Sequence, residues 1–204
     1  MFVQVIEGRV RDAEGLKRQW QEWMRQLAPD AIGWVGATGG ITPDNRFIAA
    51  VRFESADNAA QNSNRAEQGR WWSETEKALE NVTFDESSDY SATGAPSDDA
   101  RFVQIMRGGV IDRRRVEQFD AEFDEMAGEH RPDLLGGYQI WLPDGTFVGV
   151  NYFTSEEEAR AGESKDLPEN LAAQFAEWQS LMTDVRWYDL PDPWLDSADQ
   201  PAGG

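Results

Sequence analysis

The chain contains two diverged copies of one sequence unit, and this repetition constrains its fold more than any other feature. Residues 2–59 align with residues 102–159 without a gap, and fourteen of the 58 pairs are identical. Identical pairs include Phe2/Phe102, Gln4/Gln104, Gly36/Gly136, Asp44/Asp144 and Phe53/Phe153. After residue 160 the second copy needs three extra residues before 82–84 match 185–187. The two halves are therefore expected to share one fold.

Each copy reads as a β-α-β-β-α-β unit. A strand rich in β-branched and aromatic residues opens the copy at 2–7 or 102–107 and ends at a glycine. A helix follows, because apolar residues recur at spacings of three and four. These stripes are Leu16, Trp20, Trp23 and Leu27 in copy one, and Val116, Phe119, Phe123 and Met126 in copy two.

A hairpin and a second helix complete each copy. The hairpin turns are predicted at Thr42-Pro43-Asp44-Asn45 and Leu142-Pro143-Asp144-Gly145, since proline presets φ and Asn or Gly accepts the left-handed position. Ser155 followed by Glu158 is a capping box that opens a helix. A last strand is predicted at 82–85 and at 185–188. The domain prediction is repeat 1 at 1–88, a linker at 89–100 rich in Ser, Gly and Pro, repeat 2 at 101–190, and a tail at 191–204.

Both faces of each predicted sheet are apolar. In 2–6, Val3 and Val5 lie on one face, and Phe2, Gln4 and Ile6 lie on the other, because side chains alternate along a strand. Two helices cover one face only, and a bare apolar face of several hundred Å² is uncommon in a soluble monomer. We therefore predict that the two sheets pack face to face within the chain.

The duplicated β-α-β-β-α-β unit resembles the dimeric α/β-barrel superfamily, and within it the antibiotic-biosynthesis-monooxygenase-like proteins. The resemblance covers 1–88 and 101–190. It implies an α+β fold of two tandem ferredoxin-like repeats whose antiparallel sheets form an intrachain dimeric α/β barrel. It also implies a pocket between the sheet and the helices of a repeat.

The charge and composition exclude several classes of function. The net charge is −19, from 38 acidic and 19 basic residues, so both nucleic acid and anionic membrane surfaces are disfavoured as partners. No cysteine is present, which excludes disulfides and thiolate chemistry. No signal peptide or membrane-spanning run is visible, and a cytoplasmic location is expected. The chain is expected to be a monomer with an internal pseudo-dimer, or else a homodimer.

The candidate ligand-binding residues of copy one lie around its second helix. The segment from Asn62 to Trp72 has the most distinctive sequence in the chain. Its counterpart in copy two has lost both asparagines, the arginine and the Trp pair. Trp71 or Trp72 would line an aromatic pocket, and Asn62, Asn64 and Arg65 would orient a polar group. The alternative is a helix packed by one Trp, with the amides forming a kink or a cap. Further candidates for the pocket wall are Trp20, Trp23 and Trp34.

Copy two offers weaker candidates. Asn151 stands where copy one has Val51, and a buried amide needs partners, so a polar cavity is a hypothesis there. The other candidates of copy two are Tyr138, Trp141 and Tyr152. His130, the single histidine, is predicted to lie in a solvated turn. Relatives that use haem place a ligating histidine on or near the second helix, so haem is disfavoured, and neither a metal nor another cofactor is predicted.

Two functional hypotheses remain open. The first is a small-molecule-binding α/β-barrel protein, in the form of a cofactor-independent monooxygenase acting on an aromatic or polycyclic substrate, as the resemblance implies. The second is a non-catalytic scaffold or interaction module whose pocket is filled by its own side chains. No catalytic residue can be assigned from the sequence. A cavity of roughly 300 Å³ or more beside Trp71 and Trp72 would favour the first hypothesis.

Overall fold

A computed structural model describes residues 1–165 and 169–198 of the chain. The chain divides into two compact units. Unit 1 comprises Met1–Tyr90 and the C-terminal segment from Asp192, and unit 2 comprises Ser91–Pro191. Each unit is an α+β structure built on a five-stranded sheet, with two helices following the hairpin where the sequence predicted one.

Unit 1 has the strand order β10-β2-β3-β1-β4, with all neighbours antiparallel. Its elements are β1 (Phe2–Val10), α1 (Ala13–Gln26), β2 (Trp34–Ile41), β3 (Arg46–Phe53), α2 (Ala56–Ser63), α3 (Ala66–Thr75), β4 (Leu79–Ser87) and β10 (Trp194–Ser197). The helices cover the side of the sheet that carries Ile6, Phe47 and Ala49, because these residues form a core with Leu16 of α1.

Unit 2 repeats this arrangement with the strand order β5-β7-β8-β6-β9. Its elements are β5 (Tyr90–Thr93), β6 (Phe102–Val110), α4 (Arg113–His130), β7 (Leu134–Trp141), β8 (Thr146–Phe153), α5 (Glu156–Glu163), α6 (Glu169–Leu181) and β9 (Met182–Leu190). Core packing follows the same pattern, since Phe102, Phe153 and Ala159 cluster here as Phe2, Phe53 and Ala59 do in unit 1.

The predicted order of strands and helices is confirmed, and so are the hairpin turns. Asn45 and Gly145 both adopt the left-handed conformation that the turn prediction required, with φ of 61° and 85°. The second helix of copy one differs from the prediction, because it is broken into α2 and α3. Asn64 ends α2, and Arg65 is extended with φ −68° and ψ 134° before α3 begins.

Two edge strands lie in segments predicted to be a linker and a tail. β5 falls within 89–100 and lies beside β7, whereas β10 falls within 191–204 and pairs with β2 from Trp194↔Gly39 to Ser197↔Gly36. The two compact units change at 90/91 and 191/192, and the predicted repeat boundaries stay a prediction. A short strand that adds to a sheet edge takes its stability from its partner strand, so its local composition does not reveal it.

The two faces of each sheet separate as alternation predicts. Gln4 and Ile6 point to the helices of unit 1, whereas Val3 and Val5 point to the other side and are buried. The predicted packing of one sheet against the other stays a prediction.

Candidate ligand-binding site

A cavity of about 80 Å³ lies in unit 1 between the sheet and the helices α1, α2 and α3. Its walls are mainly apolar and include four tryptophans. The sheet contributes Gln4, Ile6, Ala37, Phe47, Ala49, Val51 and Phe53, and the helices contribute Leu16, Trp20, Trp23, Met24, Asn62, Ser63, Gln68, Trp71, Trp72 and Thr75. Neither a charged residue nor a histidine is among these lining residues.

Small residues on the sheet make room for the large rings above it. Ala37, Gly39 and Ala49 occupy neighbouring positions of β2 and β3. A Cβ atom added to Gly39 would lie 3.1 Å from Cζ3 of Trp20 and 3.0 Å from the Cβ of Ala49. A larger residue at position 39 would press on the Trp20 ring, so glycine here allows the ring to approach the sheet closely.

Three of the indole N–H groups around the cavity donate hydrogen bonds to other groups of the protein. Trp23 donates to Oε1 of Gln68 at 2.8 Å, and Trp71 donates to the carbonyl of Gln19 at 2.8 Å. Trp20 donates to Oδ2 of Asp196, on strand β10, at 2.8 Å. Because these donors are satisfied, the three rings are fixed and offer apolar surface rather than hydrogen bonds to a ligand.

Trp72 forms the outer wall of the cavity. Its ring lies 5.1 Å from the ring of Phe84 in an edge-to-face arrangement and 5.9 Å from that of Trp71. Phe84 is 51% exposed, and Trp72 is half-buried. Trp72 is the lining residue of this pair, and its exposed neighbour Phe84 can move with little loss of packing.

Asn62 lines the cavity, but its hydrogen-bonding groups are used within the protein. Its Nδ2 donates to the carbonyls of Ile32 (2.8 Å) and Asn58 (2.9 Å). Its Oδ1 accepts from the backbone N–H of Ile32 (3.2 Å) and from Nη1 of Arg65 (3.2 Å). The residue therefore ties α2 to the chain before β2, as expected of an amide that shapes a kink or cap.

The other two polar candidates of this segment lie outside the cavity lining. Arg65 donates through Nη1 to the carbonyl of Leu27 at 3.3 Å and through Nε to Glu67 at 2.9 Å. Asn64 is exposed, and its backbone N–H donates to the carbonyl of Ala60 at the end of α2. Both residues build the junction between α2 and α3 rather than the cavity wall.

Trp34 lies behind the cavity, where its ring packs 5.3 Å from that of Trp23. Its Nε1 is buried and has no hydrogen-bond partner within the described residues.

Two glutamines in the lining were not predicted. Gln68 accepts from Trp23 through Oε1, so its Nε2 is the group that it can present to a ligand. Gln4 lies at the sheet side of the cavity and donates through Nε2 to Oε1 of Glu86 at 2.7 Å. The sequence did contain a signal for Gln4, because Gln4 and Gln104 are identical in the two copies on a strand that is otherwise apolar.

The candidates of copy two do not form one site. Asn151 pairs with Gln104 and lies on the helix side of its sheet, at the position equivalent to Val51. Trp141 packs with Phe147 on that side too. Tyr138 and Tyr152 are buried on the opposite side, with ring centroids 6.2 Å apart. The tyrosines therefore cannot share a helix-side pocket with Asn151.

His130 is half-buried and is the last residue of α4. The prediction of a turn was wrong because α4 is longer than the predicted stripe. No group of three or more metal-ligating side chains occurs among the residues that the structure describes.

Unit 2 carries an ion-pair network at the position equivalent to Gln4 and Glu86. The guanidinium of Arg160 donates to Oδ2 of Asp189 and, at 3.1 Å, to Oε2 of Glu163. Gln104 donates to Oδ1 of Asp189 at 3.0 Å. Burial lowers the pKa of Arg160, but its hydrogen bonds to Asp189 and Glu163 outweigh this effect, and the pKa is raised overall.

Solved structures share this architecture over nearly the whole chain. A candidate monooxygenase from Fusobacterium nucleatum superposes with a TM-score of 0.72 at 7% identity, covering 97% of this chain and 94% of that one. An anthrone oxidase-like protein gives 0.68 at 9% identity, with 100% and 94% covered. The chain shares the fold of these solved structures. A further monooxygenase candidate, from Lactobacillus acidophilus, gives 0.67 at 8% identity, with 95% and 98% covered.

At these low identities the superpositions show a shared fold and not an activity. The sequence matches no protein-family model and no curated protein. Within the described ranges, none of the helices combines the length and the apolar character needed to cross a bilayer.

Proposed function

We propose that the chain binds a small aromatic molecule in the unit 1 cavity and acts on it as a cofactor-independent monooxygenase. The observation that carries the proposal is the cavity itself, in which fixed indole rings surround a space that Gln4 and Gln68 border with amide groups. Apolar walls with a few polar groups that orient the ligand are the usual design of a small-molecule site.

The size of the cavity limits the ligand. Sites for drug-sized molecules span roughly 300–1,000 Å³, and an engineered cavity of roughly 150 Å³ holds benzene. The space of about 80 Å³ therefore requires a modest shift of the wall even for one aromatic ring. A polycyclic substrate requires the Trp72–Phe84 pair to swing outward.

The proposed chemistry needs little from the protein. Oxidation of a substrate CH₂ group by O₂ gives a C=O group and one molecule of water, so the substrate supplies all the electrons. In the first step a hydroxide ion or other base from solvent takes a proton from that carbon, since the cavity lining contains neither a charged residue nor a histidine, and the negative charge moves to an oxygen of the substrate. Nε2 of Gln68 is the donor that we propose for this oxyanion, because its Oε1 is already held by Trp23. Arg65, the other candidate donor, already donates hydrogen bonds to the carbonyl of Leu27 and to Glu67.

Haem does not fit this cavity. Its space is far smaller than a haem macrocycle, and histidine is not among its lining residues. We accordingly propose that the protein works without haem or flavin. An absorption scan of the freshly purified protein tests this, and a Soret or flavin band that copurifies at one equivalent would contradict it.

A non-catalytic scaffold is the alternative function. The observation that favours it is the cavity volume, which lies below the range of typical ligand sites. The satisfied indole N–H groups are also what a core filled by its own side chains would show.

Ligand binding and oxygen uptake together distinguish these functions. We expect 4-methylphenol to change the tryptophan fluorescence of the protein, and anthrone to be oxidised to the quinone with one O₂ consumed per molecule. Ala49→Val adds two methyl groups at the cavity and should weaken 4-methylphenol binding at least tenfold, whereas Ala56→Val on the exposed side of α2 should not. Binding without oxygen uptake would contradict the enzyme proposal, and the absence of both would favour the scaffold.

A further inference from the structure

A carboxylate lies beside one lining residue of the unit 1 cavity. Gln4 lines the cavity on β1, and its amide donates to Oε1 of Glu86, its register partner on β4. Ser63, at the end of α2, also lines the cavity. Glu86 is exposed, and within the described parts of the chain it makes no ion pair. A carboxylate without an ion-pair partner among the described residues is thus hydrogen-bonded to the wall of an aromatic cavity.

The second copy shows which group complements this arrangement. Asp189 pairs with Gln104 in β6 and β9 as Glu86 pairs with Gln4 in β1 and β4. The guanidinium of Arg160 binds both Asp189 and Glu163, and its Cζ lies 5.2 Å from the ring centroid of Phe102. A cation therefore sits between the carboxylate and the aromatic ring in unit 2.

Unit 1 keeps the surroundings of this cation but lacks the cation. Phe2, Gln4 and Glu86 correspond to Phe102, Gln104 and Asp189, whereas Ala60 replaces Arg160 and Ser63 replaces Glu163. α2 and α5 have the same length and the same serine cap, so residues 60 and 160 occupy equivalent helix positions. The exchange of Arg160 for Ala60 leaves space where the second copy places a guanidinium.

We infer that the ligand of unit 1 is an organic cation, in which an ammonium or amidinium group binds Glu86 and Gln4 and an apolar ring enters the tryptophan cavity. This inference rests on the proposed function, because it takes the cavity to be a ligand site. A charge-assisted hydrogen bond to Glu86 and the faces of the nearby aromatic rings both favour a cation.

The charge of the molecule favours the same ligand class. The chain carries −19, and the cavity lining contains neither Lys nor Arg, so an anionic ligand would be repelled and would find no cationic partner. The preferred substrate of the proposed oxidation would then be an amine-bearing aromatic molecule, for which anthrone and 4-methylphenol are neutral surrogates.

Three probes of nearly equal shape test the inference on the full chain. They are 2-phenylethylamine, which is a cation at pH 7, 2-phenylethanol, which is neutral, and phenylacetate, which is an anion. We expect calorimetry at low salt to show the amine bound roughly threefold to tenfold more tightly than the alcohol, a range set by an exposed charged hydrogen bond. Phenylacetate should not bind, and the preference for the amine should fall as salt is added.

Variants test whether Glu86 causes the preference for the amine. Glu86→Gln should remove the preference for the amine and leave alcohol binding unchanged, whereas Glu76→Gln, an exposed charge on the same unit, should keep the preference. Ala60→Arg places the guanidinium of the second copy in unit 1 and should abolish amine binding; the exposed position tolerates the larger side chain. Circular dichroism checks that each variant is folded.

The outcomes separate the two proposals. Equal binding of amine and alcohol, or an amine preference that survives Glu86→Gln, overturns the inference and leaves the cavity as a ligand site. Failure of all three probes overturns the inference if 4-methylphenol still binds, and it overturns the proposed function if 4-methylphenol fails to bind as well.

Discussion

At the scale of single residues, the two copies pack differently at the position of Asn62 and Gly162. Asn62 ties α2 to Ile32 in unit 1. In unit 2 the equivalent residue is Gly162, and a Cβ there would lie 2.6 Å from Nε of Arg131, which itself binds Asp133. The sequence allowed a ligand contact and a kink or cap as alternative roles of Asn62 but could not decide between them, because its partner lies 30 residues away and the contact arises only on folding.

The hairpin aspartates give a pH-dependent prediction. The hydroxyl of Thr146 donates to Asp144 at 2.6 Å and its backbone N–H at 2.9 Å, and these bonds lower the pKa of Asp144 below 3.8. A lowered pKa stabilises the fold at pH values above 3.8, and this contribution is lost as pH falls through the folded-state pKa. We expect Asp144→Asn to reduce the free energy of unfolding at pH 7 by less than about 1 kcal/mol, since the group is exposed.

Urea unfolding at pH 7 and at about pH 3 measures this effect, and the difference between variant and wild type should shrink at the lower pH. Asp99→Asn, an exposed aspartate whose hydrogen bond runs through its backbone, serves as the control. A difference that stays constant between the two pH values would show that the carboxylate charge is not involved.

At the scale of elements, periodicity predicted the long helices and strands well. Leu16, Trp23 and Leu27 of the predicted stripe are buried, and the strands alternate as expected. The break between α2 and α3 escaped prediction because it depends on one extended residue, Arg65, whose guanidinium is held by Leu27 of another element. β5 and β10 escaped for the related reason that each depends on a partner strand distant in sequence.

β10 holds one wall of the candidate site. Trp194 packs 5.4 Å from the ring of Trp20 and 6.0 Å from that of Phe47, and Asp196 accepts the indole N–H of Trp20. We expect a chain that ends at Pro191 to be less stable by about 3 kcal/mol or more, because it loses a buried Trp and leaves an indole N–H without its partner.

A chain that ends at Ala198 keeps β10 and is the matched control for this truncation. Chemical denaturation followed by tryptophan fluorescence compares the two, and binding of 4-methylphenol reports on the cavity. Wild-type stability of the shorter chain would show that β10 does not hold the Trp20 wall.

At the scale of the whole molecule, most of the predictions made from the sequence rest on its duplication. Identical pairs such as Phe53/Phe153 established the shared fold, and the divergence of the segment from Asn62 to Trp72 pointed to unit 1 as the half with a ligand site. The sequence could not supply the size of the cavity, because the volume depends on how Trp20 and Trp72 pack in three dimensions. The oligomeric state also stays a prediction.

Divergence of the copies predicts one ligand per chain rather than two. In unit 2, Arg160, Glu163 and Asp189 occupy the positions equivalent to Ala60, Ser63 and Glu86 and bind one another. Trp178 replaces Thr75 of the lining. A ligand would have to displace a guanidinium that already has two carboxylate partners, whereas unit 1 offers only Glu86 and Gln4. We expect calorimetric titration with 2-phenylethylamine to give a stoichiometry of one, and Ala60→Arg to remove that single site. A stoichiometry of two, or one site that survives Ala60→Arg but is lost in Arg160→Ala, would place binding in unit 2 and reverse the assignment of roles to the two copies.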